Sequence, residues 1–190
     1  MNKVLVLVDY QNDFVTGVLG TKEAQAIENN IVEKINNHKG LILVTLDTHD
    51  KNYLNTREGK ALPIEHCIIG TQGHEVPDKI NNALKNALDH SYQNVYVVGK
   101  ETFAPRISDL LSECVKSIQI ADEIELIGVC TDICVLSTAI TMHTLNHKAD
   151  IIIDASCCAG TTVENHNKAL DIMQNSLLMK VINRREVSND

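Results

Sequence analysis

Early in the chain the sequence reads Val4-Leu5-Val6-Leu7-Val8-Asp9, five aliphatic residues followed by an acid. A continuous aliphatic run of this length, without polar alternation, is typical of a strand that is buried on both faces of a parallel sheet. Further runs of the same kind predict four more strands and a candidate sixth, at residues 41–46, 95–98, 124–129, 151–153 and 179–182.

Helical patterns separate these strands. Ile27, Ile31 and Ile35, for example, recur at a spacing that places them on one face of a helix. The patterns predict helices at residues 24–37, 76–88, 105–117, 132–145 and 163–177. This alternation indicates an α/β fold with a single doubly wound, Rossmann-like, mostly parallel sheet and helices on both faces. A chain of 190 residues is expected to form one domain spanning 1–190.

The charge and cysteine content exclude several classes of protein. With 17 Lys and Arg against 25 Asp and Glu, the net charge is −8. We therefore expect that the protein binds neither nucleic acid nor an anionic membrane. No apolar run approaches the ~20 residues of a membrane span, and the run at 4–8 is too short for a signal peptide, so we expect a cytoplasmic protein. The six cysteines form neither a CxxC pair nor a zinc-finger spacing, and we expect free thiols.

Chemically reactive side chains follow the predicted strands where the strands end. In open α/β sheets, the carboxyl ends of the strands form the edge at which ligands bind. We therefore expect one site at this edge, drawing on Asp9, on Asp47 with His49, on Lys100, on the turn at 128–132 and on Asp154.

Cys134 is the candidate nucleophile. Thr131 or Asp132 is expected to cap the helix that follows the strand at 124–129, which places Cys134 in the first helical turn. The helix dipole and the free N–H groups there favour a thiolate and are suited to hold an oxyanion. Two alternatives stay open: a merely buried small residue, and a disulfide between Cys130 and Cys134, which a reducing compartment disfavours.

Asp9 and Lys100 are candidates for activating that thiol. A carboxylate beside a thiol takes its proton as a general base and later returns it to a leaving amine. An ammonium near both groups lowers the pKa of the thiol and holds the carboxylate in place. The alternatives are a capping or loop role for Asp9 and a solvated surface position for Lys100.

A second group of side chains has the chemistry of a metal site. Asp47 and His49 end the second strand, and His66 follows in the long irregular stretch after it. Carboxylate and imidazole suit Zn²⁺, Mn²⁺ or Fe²⁺, and Glu58, which lies between the two histidines in sequence, is a candidate fourth ligand. The alternative is ordinary hydrogen bonding within a loop.

Several segments resemble the isochorismatase-like cysteine hydrolases, the superfamily that includes the nicotinamidases. The resemblance spans almost the whole chain and depends on the combination of segments. The matching segments are residues 8–14 (VDYQNDF), 47–49 (DTH), 63–71 (PIEHCIIGT), 100–103 (KETF), 128–135 (GVCTDICV), 154–156 (DAS) and 164–166 (ENH).

The resemblance implies a catalytic triad of Asp9, Lys100 and Cys134. It also implies a non-proline cis peptide bond before Cys130, with the backbone N–H groups of Cys130 and Cys134 forming an oxyanion hole. A divalent metal (Zn, Mn or Fe) is implied as well. Its ligands would be Asp47, His49 and His66, with Glu58 matching the variable fourth position less closely.

The resulting expectation is a cysteine-dependent amidohydrolase that cleaves a small amide through a thioester, with nicotinamide as the leading substrate. Phe14 and Phe103, the two phenylalanines of the chain, are expected to line the substrate pocket. Leu62 stands where nicotinamidases commonly carry an aromatic residue, so another small amide, carbamoyl or ureido compound is the alternative. A non-catalytic binding protein and a thiol redox protein are further alternatives. A homo-oligomer is expected from the resemblance.

Overall fold

Six parallel strands form one open sheet in the computed structural model, which describes residues 2–88 and 94–184. The strands are β1 (Lys3–Val8), β2 (Leu41–Asp47), β3 (Asn94–Lys100), β4 (Glu123–Val129), β5 (Asp150–Ala159) and β6 (Lys180–Ile182). Their order in the sheet is β3-β2-β1-β4-β5-β6, and each pairing between neighbours is parallel. The predicted α/β class with a doubly wound parallel sheet is confirmed.

Helices connect the strands. In the described ranges they are α1 (Asn12–Val15), α2 (Lys22–Ala26), α3 (Glu28–Asn37), α4 (Arg57–Ala61), α5 (Asp78–Leu88), α6 (Ser112–Gln119), α7 (Leu136–Leu145) and α8 (Val163–Asp171). Single 3₁₀ turns lie at Tyr53–Asn55, Gln72–His74 and Ile107–Asp109, and π-helical turns at Thr131–Val135 and Ile172–Ser176. The helix predicted at 24–37 is divided into α2 and α3. None of the helices in these ranges has the length and apolar character needed to cross a bilayer.

The aliphatic side chains of β1 alternate between two cores, one on each face of the sheet. Leu5 and Leu7 pack with side chains of α3 and α5. Val4, Val6 and Val8 pack on the other face with side chains of α6, α7 and α8. Burying one such side chain stabilises the fold by roughly 1.5–3 kcal/mol, which explains why β1 carries no polar alternation. The prediction of helices on both faces is confirmed.

The strand order reverses between β1 and β4, and this reversal opens a crevice at their carboxyl ends. Val8, the last residue of β1, lies opposite Thr45 of β2 and Gly128 of β4. Gly128 has a φ of 119°, and a side chain there would collide with the backbone of Val8. The glycine thus allows close approach of the two strands whose following residues share the crevice.

Strand β5 is longer than its aliphatic run predicts. Ile153 pairs with Leu126 of β4, and after a bulge the pairing resumes at Cys158. Asp154 therefore lies inside the strand, and its expected position at the ligand-binding edge is wrong. The residues after Ile153 are small or polar, so the apolar pattern stops although the strand continues. The buried carboxylate of Asp154 forms an ion pair with Lys34 at 2.7 Å.

Candidate active site

Asp9 lies where β1 ends. Its left-handed backbone (φ 48°) turns the chain out of the sheet. Its N–H still donates to the carbonyl of Thr45 at 3.1 Å, and its Oδ1 accepts a hydrogen bond from the Thr45 hydroxyl at 2.7 Å. The side chain is fully buried, and burial raises the pKa of Asp9 above the ordinary aspartate value despite the opposing charge of Lys100. A carboxylate in this state is well suited to accept a proton.

Lys100 is the last residue of β3 and pairs in register with Asp47 of β2. Its buried Nζ lies 2.7 Å from Oδ2 of Asp9, 3.4 Å from Oδ1 of Asp47 and 3.9 Å from Sγ of Cys134. Burial lowers the pKa of Lys100, but the three neighbouring groups outweigh that effect and hold its pKa above the usual lysine value. The structure thus brings the Asp9 carboxylate and the Cys134 sulfur together beside the buried ammonium of Lys100.

Cys134 lies in the π-helical turn that leads into α7, and only 8% of the residue is exposed. Burial, followed by the negative charge of Asp9, raises the pKa of the thiol well above its usual range, although Lys100 acts in the opposite direction. Burial therefore opposes the thiolate that the helix end was expected to favour, because it desolvates the charged form. Such a thiol needs an adjacent base to become a nucleophile.

Thr131 and Asp132 hold this turn, but not as the predicted helix caps. The turn begins at Cys130 without a side-chain cap. The Thr131 hydroxyl lies 2.8 Å from Nδ1 of His166, and Asp132 accepts hydrogen bonds from the N–H and the hydroxyl of Thr161 at 2.8 and 2.5 Å. Both side chains therefore fasten the cysteine turn to the segment after β5.

The peptide bond between Val129 and Cys130 is cis, as the resemblance implied. Within the turn, the Cys130 carbonyl accepts hydrogen bonds from the N–H groups of Ile133 and Val135 at 3.1 and 3.0 Å. Cys130 and Cys134 both line a cavity that opens beside this turn, and both thiols are free. The structure therefore does not contain the disulfide that was one alternative for this pair.

Asp47, His49 and His66 form the candidate metal site. All three are buried, and their potential ligand atoms lie within 4.8 Å of one another. Oδ2 of Asp47 lies 2.9 Å from Nε2 of His49 and 3.3 Å from Nε2 of His66. Although burial opposes it, hydrogen bonds from the two imidazoles and the charge of Lys100 hold the pKa of Asp47 below the usual aspartate value. A charged carboxylate with two imidazoles fits Zn²⁺, Mn²⁺ or Fe²⁺.

The surroundings of these ligands orient the imidazole rings. Nδ1 of His66 lies 2.8 Å from the carbonyl oxygen of Ile64, so Nε2 faces Asp47. The buried ring of Tyr53 lies 4.5 Å from the ring of His49 and 4.9 Å from that of His66. Among the described residues, Glu58 does not belong to the close ligand group, although it lines the same cavity.

Three buried residues that hold the site were not predicted from the sequence: Thr45, Gln11 and Tyr53. Thr45 is the only hydroxyl residue in the aliphatic run at 41–46, and that interruption was a usable signal. Gln11 follows Asp9 by two residues, directly after a buried strand, and was also detectable. Tyr53 lies in an irregular segment where no periodicity marks a buried position.

A cavity of about 340 Å³ opens beside Cys134. Its walls are mainly apolar, and the predicted pocket residues Phe14 and Phe103 both contribute. The ring of Phe14 lies 5.4 Å from that of His66, whereas Phe103 is 49% exposed. The other apolar side chains of the wall are Leu19, Ala24, Leu62, Val129 and Ile133. Such a cavity suits a small and largely apolar molecule.

The family model of the Isochorismatase domain matches residues 3–186. The chain belongs to the isochorismatase family. Its relatives in this family include the "Uncharacterized isochorismatase family protein PncA" of Bacillus subtilis, which is 32% identical over 185 residues that cover 93% of this chain and 97% of the relative.

Two further proteins to which the chain is similar carry the names of activities. The nicotinamidase of Schizosaccharomyces pombe is 28% identical over 203 residues, covering 87% of this chain and 86% of that protein. The crystal structure of the pyrazinamidase/nicotinamidase from Streptococcus mutans superposes with a TM-score of 0.80 and 29% identity, covering 95% of this chain and 100% of that one.

Proposed function

We propose that the protein is a cysteine-dependent amidohydrolase that cleaves the C–N bond of a small amide through a thioester on Cys134. The observation that carries this proposal is the buried cluster in which Lys100 Nζ lies 2.7 Å from Asp9 Oδ2 and 3.9 Å from Cys134 Sγ, next to an apolar cavity. A nucleophile, a base and a cation at one buried point are the components of covalent catalysis. The nicotinamidases among the relatives support amide hydrolysis.

In the proposed reaction, Asp9 accepts the thiol proton while Sγ of Cys134 attacks the amide carbon. The backbone N–H groups of Cys130 and Cys134 stabilise the oxyanion that forms on the carbonyl oxygen. Asp9 then gives the proton to the leaving nitrogen, the C–N bond breaks, and ammonia or an amine departs from the thioester. A water molecule, deprotonated by Asp9, attacks the thioester carbon. The C–S bond breaks, Asp9 returns the proton to Sγ, and the carboxylic acid and the free thiol of Cys134 are released.

Lys100 has two roles in this scheme. Its ammonium forms an ion pair with Asp9 and so holds the base in position within the protein interior. It also faces the sulfur of Cys134, where negative charge develops when the proton leaves. In a buried site of low dielectric, a cation at this place stabilises that charge more than it would in water.

Asp47, His49 and His66 would hold a divalent metal, Zn, Mn or Fe, with Glu58 proposed as a fourth ligand from the lining of the cavity. The low pKa of Asp47 supports this site because the carboxylate stays charged between the two imidazole nitrogens. When bound, the metal would supply a Lewis acid that fixes a heteroatom of the substrate. These side chains thus orient the substrate, while Asp9 and Cys134 carry the proton and the acyl group.

Nicotinamide, converted to nicotinate and ammonia, is the proposed substrate. The names of the two relatives support it, and Phe14 and Phe103 in the cavity wall suit an aromatic ring. The alternative is a carbamoyl, ureido or other small amide, which is favoured by the mainly aliphatic remainder of the wall, including Leu62. A homo-oligomer is proposed from the resemblance alone, and light scattering of the purified protein tests it.

Ammonia release from a panel of amides tests the proposed function. The panel contains nicotinamide, an aliphatic amide and carbamoyl and ureido compounds, and the proteins are the wild type, Cys134→Ala and Cys114→Ala. Cys114 is a buried cysteine of α6 and serves as the matched control. We expect release that requires Cys134 but not Cys114, with the highest kcat/KM for nicotinamide.

The other outcomes of this panel are equally informative. Release from the carbamoyl or ureido compounds alone would assign the alternative substrate class. No release from any compound, by folded protein supplied with Zn²⁺, Mn²⁺ or Fe²⁺, would contradict the amidohydrolase and favour a binding protein. A measured reduction potential for Cys130 and Cys134 would test the thiol redox alternative.

A further inference from the structure

The side chain of Gln11 takes the place of a backbone hydrogen-bond partner for Asp47, at the point where β1 leaves the sheet. Asp9 turns the chain away, while β2 continues to Asp47. The fully buried side chain of Gln11 fills this place: Oε1 accepts a hydrogen bond from the Asp47 N–H at 2.8 Å, and Nε2 donates to the Asp47 carbonyl at 2.9 Å. One side-chain amide thus makes both bonds that a neighbouring strand would otherwise supply to this residue.

The same amide also holds the long connection that follows β2. Nε2 of Gln11 makes a second hydrogen bond, to the carbonyl of His74 at 2.8 Å. That connection carries His49 and His66 before it reaches His74. Gln11 therefore links the backbone of Asp47 to the segment that presents both imidazoles. A buried amide is costly unless its groups are satisfied, so these three bonds favour a single arrangement.

The carboxylate of Asp47 is shared between the two halves of the site. Its Oδ2 faces the imidazoles of His49 and His66, and its Oδ1 lies 3.4 Å from Nζ of Lys100. A displacement of the Asp47 backbone would therefore change the geometry of the candidate metal ligands directly. It would affect the triad indirectly, through the contact of the carboxylate with Lys100. The backbone of Asp47 is held by β3 on one side and by the Gln11 amide on the other.

We infer that Gln11 is a positioning residue of the metal site, which fixes the Asp47 carboxylate relative to His49 and His66. This inference rests on the metal site of the proposed function. Gln11 acts through the backbone of Asp47 and does not line the cavity beside Cys134. Loss of an outer hydrogen-bond partner of a metal ligand typically weakens metal affinity by about 10–100-fold.

The Zn²⁺ affinity of metal-stripped protein, measured by competition with a chromophoric chelator, tests this inference. Gln11→Met keeps the length of the side chain and removes its three hydrogen bonds. We expect the Zn²⁺ affinity of this variant to fall by about 10–100-fold. The visible absorption of the Co²⁺-loaded protein is expected to change as well, because it reports the geometry of the ligands.

Asn146→Leu is the matched control. Asn146 is also a buried amide with several backbone partners, and none of them belongs to the site: Ile118, Ala121, Lys148 and Ala149. We expect this variant to lower the melting temperature while the Zn²⁺ affinity and the Co²⁺ spectrum stay those of the wild type. The comparison separates a general loss of stability from a loss of ligand position.

Each remaining outcome decides a different point. A wild-type Zn²⁺ affinity and Co²⁺ spectrum in Gln11→Met would overturn the positioning role and leave the proposed metal site intact. A wild-type protein that binds no Zn²⁺ would overturn that site and this inference together. If Gln11→Met does not fold, Gln11→Glu is measured with the same expectation, since it keeps the acceptor for the Asp47 N–H and loses both donated bonds.

Discussion

The ammonium of Lys100 lies 2.7 Å from Oδ2 of Asp9, and both side chains are completely shielded from solvent. Two opposite charges in such a place depend on each other, because either one alone would be buried without compensation. The same lysine faces the sulfur of Cys134 and the carboxylate of Asp47. Replacing it therefore has consequences for both stability and chemistry.

Lys100→Met removes the cation and leaves the Asp9 carboxyl buried without its ion pair. We expect the free energy of unfolding to fall by about 3–5 kcal/mol, which denaturant titration measures. We also expect amide hydrolysis to slow by about 10²–10⁴-fold, because Asp9 then keeps a proton and cannot act as a base. The double variant Asp9→Asn, Lys100→Met removes both charges, so it should regain stability and stay inactive. A double variant less stable than Lys100→Met would contradict the ion-pair explanation.

Thr45→Val tests Asp9 as the base through the pH profile. The Thr45 hydroxyl donates to Asp9 and favours its charged form, so its loss raises the pKa of Asp9 further. The mechanism uses the carboxylate, so activity exists above this pKa and is lost as the pH falls through it. The acid limb of kcat/KM should therefore move to higher pH.

Thr138→Val provides the control for that experiment. Thr138 is a buried threonine of α7 whose hydroxyl has no hydrogen-bond partner in the described part of the chain. The same change of hydroxyl to methyl is expected to leave the acid limb where it lies in the wild type. If the limb does not move in Thr45→Val either, Asp9 is not the group that limits activity at low pH.

Removal of the metal is expected to lower kcat/KM for the amide by about 100-fold, because the substrate loses its orientation. Re-addition of Zn²⁺ should restore activity to the wild type but not to His66→Ala. Cys134 should still react with a haloacetamide in the stripped protein. Full activity in protein shown to be metal-free by elemental analysis would contradict the site.

The Zn²⁺ affinity of Glu58→Gln, measured beside that of the wild type, tests Glu58 as the fourth ligand.

Asp154→Asn tests the ion pair between Asp154 of β5 and Lys34. Hydrogen bonds from Lys34, Ser156 and Asn183 outweigh burial and hold the pKa of Asp154 below its ordinary value of 3.8. The resulting stability is complete above that value and is lost as the pH falls through the lower folded-state pKa. We expect Asp154→Asn to lower the free energy of unfolding by about 1.5–3 kcal/mol at pH 7, and the difference to shrink below pH 4.

Asp171→Asn is the control for this measurement. Asp171 forms an ion pair with Arg184, but its side chain is 55% exposed. Exposed pairs of this kind contribute roughly 0–1 kcal/mol, so we expect little change at any pH. Equal losses in the two variants would show that burial of Asp154 adds nothing to the strength of its interactions.

Much of the fold follows from the sequence because buried parallel strands leave a simple pattern. β1 and β2 are aliphatic almost throughout, and their ends are marked by Asp9 and Asp47. β5 shows the limit of this pattern. After Ile153 its residues are small or polar, and the strand continues through a bulge that depends on pairing with β4.

The site could be predicted as a set of residues but not as a set of chemical states. Each of Asp9, Asp47 and Lys100 stands at the end of a strand, so their convergence follows from the topology. The raised pKa of the Cys134 thiol does not follow from it, because it results from burial and from the charge of Asp9 in three dimensions. The contact of Gln11 with Asp47 likewise joins two strand ends that are distant in sequence.

The central claim is that Cys134 carries the acyl group of the substrate. Wild-type protein is mixed with nicotinamide and quenched in acid during turnover, and the mass of the peptide that contains Cys134 is measured with and without hydroxylamine. We predict a hydroxylamine-sensitive nicotinoyl group on Cys134 in the wild type, and neither acylation nor ammonia release in Cys134→Ala. Ammonia release by Cys134→Ala at the wild-type rate would contradict the claim.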